Sequence, residues 1–469
     1  MLIPTKGSDK MEKKTVTIVA VVLVIIIVVA AAVIIINGSG KDTSKSDVRY
    51  ALQIMGNADE GLTIDSKDVN IIQEIVDGKL DFKDYPMADA NNDGRVNTAD
   101  VELVKDIVNR KSGITIYVVN YGISGSDDGK EIVTPVKYPL TKVVPYGVNI
   151  VEPIIAVDGG RSVAAYFSSG YPIQEASMKG VDLKGGTRSI GDAAWKNFIT
   201  TDASVGFDAF ILTYDARAQV LDTYREDLKA SNIPLICYPA ANPDGEVSAA
   251  LTLGFLFGGN SEKLGQKYAE IYEDVLDDIE KKVTSKGTKE AVYLAMTMYT
   301  SICQNDSTFN TIGAAASGMP YYKTDADFAA KYKGTSSTTT KSLEAMSNLN
   351  MDVILNFRSM DQVNSSADIK DTIVETFEYT NSSGIQLLAL LKTTDIYEDH
   401  AFLINNTLPA PAKVAYSAYA MYSDKLSIDW ANSVMQEFID GGFTSFVGKT
   451  IKDNIVTIFG YKDYQAAKG

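Results

Sequence analysis

The chain has few of the residues that build most metal sites and catalytic centres. Among 469 residues there are one histidine, His400, and two cysteines, Cys237 and Cys303. A zinc site of clustered Cys or His ligands and a disulfide framework are therefore excluded. His400 is interpreted as structural. A single bridge between the two distant cysteines stays open.

Positive charge is also scarce. Lys and Arg total 44 against 60 Asp and Glu, which gives a net charge of -16. Binding to nucleic acid requires clustered cationic side chains, so we expect no nucleic-acid partner. The sequence contains no GxSxG or HExxH motif, and we do not expect an enzyme. The length suggests several domains.

One long apolar run lies near the N-terminus, at residues 16–36, with a single threonine and no charge. About 20 apolar residues are needed to cross a membrane. Lys6, Lys10, Lys13 and Lys14 precede the run, which predicts residues 1–14 inside the cell and the bulk of the chain outside. We therefore predict a single-pass anchor at 15–36 in the cell membrane. A cleaved signal peptide is the alternative, although its apolar core would be shorter.

A calcium loop is predicted at residues 89–100, which read DANNDGRVNTAD. Calcium takes six or more oxygen ligands, and alternate positions of a tight 12-residue loop point such ligands inward. Gly94 allows the sharp bend at position 6. The expected ligands are the side chains of Asp89, Asn91, Asp93, Asn97 and Asp100 and the carbonyl group of Arg95.

A weaker copy of this loop lies 32 residues earlier, at NADEGLTIDSKD. Here Gly61 stands at position 5 and Leu62 at position 6, so one ligand and the bend glycine are displaced. We expect weaker calcium binding, or a structural role alone. The matching ligand positions are Asn57, Asp59, Thr63, Asp65 and Asp68.

A helix with an apolar stripe is predicted after each loop, and the two stripes are expected to pack together. This duplicated loop and helix resembles a dockerin, over about residues 50–112. The resemblance implies a small all-α, calcium-binding module and leaves open a cohesin partner. Dockerins often bind through positions 10 and 11 of each loop, which are Ser66-Lys67 and Thr98-Ala99 in this chain. A calcium-stiffened stalk without a partner is the alternative.

Short apolar runs alternate with helical stretches in the rest of the chain, which predicts parallel sheets buried on both faces. Two runs, 205–214 and 349–357, each place an Asp before a buried strand. We therefore expect two similar α/β lobes, at 113–259 and 286–469. Between them, residues 260–285 have apolar residues at three- and four-residue spacing, which predicts one long amphipathic helix.

This arrangement resembles the helix-linked class of solute-binding proteins of ABC importers, over about residues 137–440. The resemblance rests on DAFIL (208–212), NIPLICYP (232–239), LGFLFGG (253–259) and LEAMSNLNMDVIL (343–355). It implies two Rossmann-like lobes, a permease and an ATPase as partners, and a metal chelate as solute (a ferric siderophore, cobalamin or haem). Members usually dock on the permease through a Glu on each lobe. Only Asp202 is acidic at the matching positions, and Glu246 or Glu398 is a possible substitute.

Ligands of open α/β sheets bind at the carboxyl ends of the strands. Tyrosine offers a flat ring with a hydroxyl group, and arginine binds carboxylates with two hydrogen bonds. The candidate ligand-binding residues are Tyr146, Tyr166, Arg188, Tyr214 and Tyr238 in the first lobe, and Tyr299, Phe357, Arg358 and Asn406 in the second.

The sequence thus predicts a membrane-anchored, extracytoplasmic solute receptor of an ABC importer, with a Ca²⁺-binding dockerin-like stem. The alternative is a cell-surface scaffold, in which the dockerin-like module recruits a cohesin and the lobes are passive.

Overall fold

The computed structural model describes residues 50–167, 182–185, 192–198, 206–214, 220, 222–240, 242–297, 301–303, 307–331, 349–358, 366–378 and 400–469. Residues 48–469 form one compact unit. The predicted anchor at 15–36 lies outside the described residues. In the part of the chain that is described, no helix is long and apolar enough to cross a membrane.

The unit begins with the two loop-helix segments. Helix α1 (Ser66–Val76) follows the first predicted calcium loop and α2 (Thr98–Val108) follows the second. Both helices start with a capping box, in which N-cap and third-residue side chains accept backbone N–H groups reciprocally. The capping box satisfies donors that a helix start leaves without a partner. The helices pack against each other, with Ile72, Val104 and Ile107 fully buried.

An antiparallel hairpin follows, formed by β1 (Thr115–Tyr121) and β2 (Glu131–Lys137). It hydrogen bonds to the start of the unit, since the N–H of Met55 donates to Tyr117 O at 2.8 Å. The sequence placed this segment in the first lobe, but the hairpin does not join that lobe's sheet.

The first lobe contains a parallel sheet in the order β5-β4-β3-β6-β7. Its central strands consist of consecutive buried residues, which agrees with the predicted apolar runs. The strands are β3 (Val143–Tyr146), β4 (Ala165–Phe167), β5 (Asp182–Gly185), β6 (Ala209–Thr213) and β7 (Leu235–Tyr238), and the helices between them are α3 (Val148–Asp158), α4 (Asp192–Asn197) and α5 (Asp222–Ala230).

Two helices lead from the first sheet to the second. Helix α6 (Pro243–Phe257) is buried along nearly its whole length, and α7 (Asn260–Lys282) is the predicted long amphipathic helix. They pack closely because Gly254 and Gly265 face the partner helix. A Cβ atom at Gly254 would lie 2.5 Å from the Ser261 carbonyl oxygen, which no larger residue could tolerate without a shift.

The second lobe contains a mixed sheet in the order β10-β8-β11-β12-β13, with β9 paired to β8. The strands are β8 (Val292–Thr297), β9 (Ser301–Ile302), β10 (Met319–Pro320), β11 (Val353–Arg358), β12 (Ala401–Asn405) and β13 (Ile458–Gly460). Strands β9 and β13 are antiparallel to their neighbours. The helices are α8 (Thr308–Ala315), α9 (Ala326–Lys331), α10 (Ser366–Glu378), α11 (Ala410–Met421), α12 (Ile428–Asp440) and α13 (Tyr461–Lys468).

The Asp before a strand in each lobe has the same structural role. The Asp208 carboxylate accepts the N–H of Lys142 at 2.8 Å, and the Asp352 carboxylate accepts the N–H of Val292, also at 2.8 Å. Each Asp therefore joins the start of its own strand, β6 or β11, to the start of the neighbouring strand, β3 or β8. The shared motif makes β3–β6 and β8–β11 equivalent pairs.

Replacement of Asp208 by Ala tests this role. The Asp208 carboxylate also accepts from the backbone N–H and hydroxyl groups of Thr141. We expect Asp208→Ala to lower the free energy of unfolding by about 1–3 kcal/mol, because hydrogen bonds to a charged acceptor are lost. Glu226→Ala, at an exposed position on α5, is the control and should change it by less than about 0.5 kcal/mol. Equal effects in urea titrations would contradict the assigned role.

Candidate functional site

The carboxyl ends of β3 and β6, and of β8 and β11, are the expected ligand positions. The chain leaves these paired strands in opposite directions within the sheet, so each pair forms a topological switch point. A crevice forms where the connections diverge, at the carboxyl end of such a pair. The topology therefore predicts a ligand at this edge of each lobe.

Most of the predicted aromatic ligand contacts are buried in the structure. The side chains of Tyr146, Tyr238 and Phe357 are 2% exposed or less, and Tyr166 is 5% exposed. Tyr146 stacks with Phe210, and its burial raises the pKa of the hydroxyl group to about 12. These rings pack in the hydrophobic core, and their role as ligand contacts stays a prediction. The sequence pattern identified strand ends but not the direction of each ring.

Tyr214 differs, because it is only partly buried at the end of β6. Its hydroxyl group donates to Asp128 Oδ1 at 3.3 Å, and its ring packs edge-on against Tyr121. Both partners belong to the β1–β2 hairpin. The hairpin tip, residues 122–130, therefore reaches the carboxyl edge of the first sheet. Sequence reasoning missed this contact.

In the second lobe, Arg358 and Asn406 are partly buried at neighbouring strand ends. The N–H of Asn406 donates to Arg358 O at 2.8 Å, so the structure brings these two predicted residues together. The remaining candidates, Arg188 and Tyr299, lie outside the described residues.

A buried ion pair joins helices of the two lobes. Lys413 Nζ lies 2.8 Å from Glu246 Oε2, and the two side chains are only 6% and 4% exposed. Glu246 is the fourth residue of α6, which follows β7, and Lys413 is the fourth residue of α11, which follows β12. The pair therefore links equivalent positions of the two lobes.

Glu246 makes further hydrogen bonds across the same junction. Its Oε1 atom accepts from the N–H of Ala410 at 2.7 Å and from the Tyr268 hydroxyl group at 2.6 Å. A carboxylate of the first lobe thus stabilises the N-terminus of α11, where the helix dipole favours negative charge. Glu246 is fully engaged inside the protein, so the suggestion that it docks on a permease is wrong. Asp202 and Glu398 lie outside the described residues.

Glu152 on α3 is a second carboxyl group near this junction. The residue is partly buried as a whole, but its carboxyl group is desolvated, and this raises its pKa to about 8. Lys413 lowers the pKa and Glu246 raises it, both by smaller amounts. The group is therefore mainly neutral at pH 7, which avoids a second uncompensated buried charge beside the ion pair.

The second predicted calcium loop folds around its own carboxylates. The N–H groups of Asn91 and Asn97 donate to the two oxygens of Asp100, at 3.1 and 2.8 Å, and the N–H of Asp93 donates to Asp89 Oδ1 at 3.1 Å. Gly94 has φ +85°, a conformation that glycine adopts without strain.

The first loop has the same hydrogen bonds 32 residues earlier. The N–H groups of Asp59 and Asp65 donate to the two oxygens of Asp68, at 3.1 and 2.8 Å. The N–H of Gly61 donates to Asn57 Oδ1 at 3.1 Å. The two loops are therefore structural repeats, although the first has no side chain at position 5.

The donor set of the loops fits a hard divalent cation. Asp68 and Asp100 are fully buried, and burial raises the pKa of Asp68 to about 6 and raises that of Asp100 as well. Neighbouring loop carboxylates raise both further, and a bound cation would offset both causes. No group of three or more His, Cys, Asp or Glu is arranged as a metal site within the described ranges. The loops would also use Asn oxygens and a backbone carbonyl.

The loop-helix segments are fixed to the long helix by one arginine. Arg110, just after α2, donates from Nε to Glu262 Oε2 at 2.9 Å and pairs with Glu262 Oε1 through Nη2. Its guanidinium group lies 4.5 Å from the centre of the Phe255 ring. Thr63, at position 7 of the first loop, also donates to Glu262 at 3.4 Å. The segment is thus attached to α6 and α7 directly.

No protein-family profile matches the chain, and no curated protein matches its sequence significantly. Several solved structures are similar in fold. A TroA-like periplasmic binding protein, FepB, from Veillonella parvula has a TM-score of 0.49 and 14% identity, over 73% of this chain and 99% of that one. An ABC transporter solute-binding protein from Sulfurospirillum deleyianum has a TM-score of 0.46 and 13% identity, over 74% and 98%.

A third similar structure is a periplasmic heme-binding protein from Pseudomonas aeruginosa, with a TM-score of 0.41 and 12% identity, over 61% of this chain and 94% of that one. The Veillonella and Pseudomonas structures are described as periplasmic binding proteins, and the Sulfurospirillum structure as a solute-binding protein.

Loss of the buried ammonium group tests the importance of the ion pair. We expect Lys413→Met to lower the free energy of unfolding by about 3–5 kcal/mol, because the Glu246 carboxylate would stay buried without its partner. The control is Lys281→Met on α7, which breaks an exposed pair with Asp277. Lys281→Met should lower the free energy of unfolding by less than about 0.5 kcal/mol. Similar denaturation midpoints for the two variants would contradict this interpretation.

Proposed function

We propose that the chain is an extracytoplasmic solute-binding receptor of an ABC importer, held at the membrane by residues 15–36. The observation that carries this proposal is the equivalence of the two lobes. Each has a switch point whose carboxyl edge can receive a ligand, and the helices behind these edges are joined by the Glu246–Lys413 pair. Two such edges, on lobes whose helices are held together by this ion pair, suit the capture of a solute between them.

The proposed solute is a metal chelate with anionic groups, such as a ferric siderophore or haem. Arg358 supports an anionic ligand, since its guanidinium group can bind a carboxylate with two hydrogen bonds. Tyr214 offers a ring and a hydroxyl group from the equivalent position of the first lobe. A permease and an ATPase are the proposed partners, in agreement with the resemblance of the sequence to importer receptors.

We also propose that the two loops bind calcium, with the second loop the tighter site. Its ligands would be Asp89, Asn91, Asp93, Asn97, Asp100 and the Arg95 carbonyl group. Bound calcium would supply the positive charge that the buried carboxylates lack and would hold the loop conformation. The first loop would bind more weakly because it lacks a ligand at position 5.

A scaffold that recruits a cohesin is the second candidate function. One observation favours it: Ser66, Lys67, Thr98 and Ala99 are all exposed, although the segment packs on the rest of the unit. The helix starts that dockerins use for binding thus remain accessible. Pull-down of a purified cohesin would support the scaffold, whereas the receptor requires no cohesin.

A thermal-shift screen of the chain tests the receptor proposal. The probes are ferric enterobactin, ferric citrate, haemin and cyanocobalamin. We expect at least one to raise the Tm, and Arg358→Ala to weaken its binding by about 1.5–3 kcal/mol through loss of a charge-assisted contact. Lys370→Ala, at an exposed position on α10, is the cationic control. No response to any probe would count against the receptor, and an unchanged Kd would remove Arg358 from the site.

Calorimetric titration with calcium tests the loop assignment. The double variant Asp89→Ala/Asp93→Ala should lose the tighter site, because two of its carboxylate ligands are removed. Asp106→Ala, which removes an exposed carboxylate on α2, should titrate like the unaltered chain. A double variant that still shows the tight site would refute the assignment.

A further inference from the structure

Strands β6 and β11 occupy equivalent places in the two lobes, but the residues near their carboxyl ends differ in polarity. Asp208 and Asp352 align β6 with β11, so Leu212 corresponds to Asn356 and Tyr214 to Arg358. The pairing agrees, since Leu212 lies opposite Tyr146 on β3 and Asn356 lies opposite Met296 on β8. The first lobe therefore has an apolar residue where the second has an amide.

The side chain of Asn356 is buried without a hydrogen bond to any described residue. The residue is 2% exposed, and its register neighbours on the two adjacent strands are the buried apolar residues Met296 and Leu403. Neither Nδ2 nor Oδ1 has a hydrogen-bond partner among the residues that the structure describes. A buried polar group left unsatisfied destabilises the fold, so leucine would be the more stable choice here. Native proteins keep few such groups, and each one requires an explanation.

The position of Asn356 in its strand explains why an unsatisfied amide is kept there. Side chains alternate along a strand, so Asn356 and Arg358 are on the same face of β11, two residues apart. Arg358 is the last residue of the strand, at the carboxyl edge of the switch point. The amide therefore lies just behind the guanidinium group, in the lobe where a polar ligand group is expected.

We propose that Asn356 is a ligand-binding residue, which together with Arg358 receives a hydroxycarboxylate group of the solute. Its carboxamide presents both a donor and an acceptor that need partners. A carboxylate would accept from Nδ2 and from the guanidinium group, and a neighbouring hydroxyl group would donate to Oδ1. A simple anion could satisfy the donor only. This inference rests on the proposed receptor function and specifies the chemistry of its solute.

The test compares citrate with tricarballylate, which has the same three carboxylates but no hydroxyl group. We expect citrate to raise the Tm of the unaltered chain more than tricarballylate does. Asn356→Leu should raise the Tm without ligand by about 2–4 °C, because the unsatisfied amide is removed. The same variant should bind citrate about 10-fold or more weakly, because hydrogen bonds to the ligand are lost.

Leu212→Asn is the matched control at the equivalent position of the first lobe. It should lower the Tm, since it buries an amide among apolar residues, and should leave citrate binding unchanged. A lower Tm for Asn356→Leu would overturn the proposal, and so would equal stabilisation by citrate and tricarballylate or none by either.

The outcomes also separate this inference from the receptor proposal. A chelate that binds the unaltered chain and the Asn356→Leu variant equally well would refute the role of Asn356 alone. Failure of citrate and of every chelate with the unaltered chain would count against both proposals.

Discussion

One buried ion pair, between Glu246 and Lys413, determines how the two lobes meet. Both groups are withdrawn from water, which is costly unless geometry and further hydrogen bonds compensate. Here the carboxylate also accepts from Tyr268 and from the first N–H of α11. The arrangement is satisfied only when α6, α7 and α11 keep their mutual positions. It therefore specifies a single relation between the lobes, and loosely packed apolar surfaces could not do so as strictly.

The close packing of α6 and α7 reinforces this constraint. Gly254 and Gly265 let the two helices approach until backbone meets backbone. The long helix then offers its first turn to the loop-helix segments through Glu262, which Arg110 binds with two nitrogens. Helix α7 thus contacts three parts of the molecule: the loop-helix segments at its N-terminus, helix α6 of the first lobe, and helices α11 and α12 of the second lobe. Movements of these parts are coupled through one stiff element.

Several of these features were predictable from the sequence. The two repeated loops, the long helix and the repeated Asp before a strand each depend on local spacing, and each is present in the structure. The two loops even share their hydrogen bonds at the expected offset of 32 residues. Local sequence patterns predict these features because the geometry of a loop or a helix depends mainly on residues that are close in sequence.

The features that were missed depend on contacts between distant residues. Glu246 is separated from Lys413 by 167 positions, and nothing near either residue indicates the other. Tyr146 and Phe357 stand at strand ends, yet sequence alone does not tell whether a ring turns inward to the core. The hairpin tip near Tyr214 was overlooked for the same reason, because its partner lies 86 positions away. Asn356 looked like an ordinary strand residue until its burial and lack of partners were known.

The attachment of residues 50–53 has a mechanical consequence. The N–H groups of Ala51 and Gln53 donate to Ser248 and Thr252 on α6, and the ring of Tyr50 packs edge-on against Tyr272 on α7. Tension arriving from the N-terminal side of the chain would enter the central helices at these points. The first loop begins only at residue 57, beyond the attachment, so a pulling force would bypass it and leave its conformation unstretched.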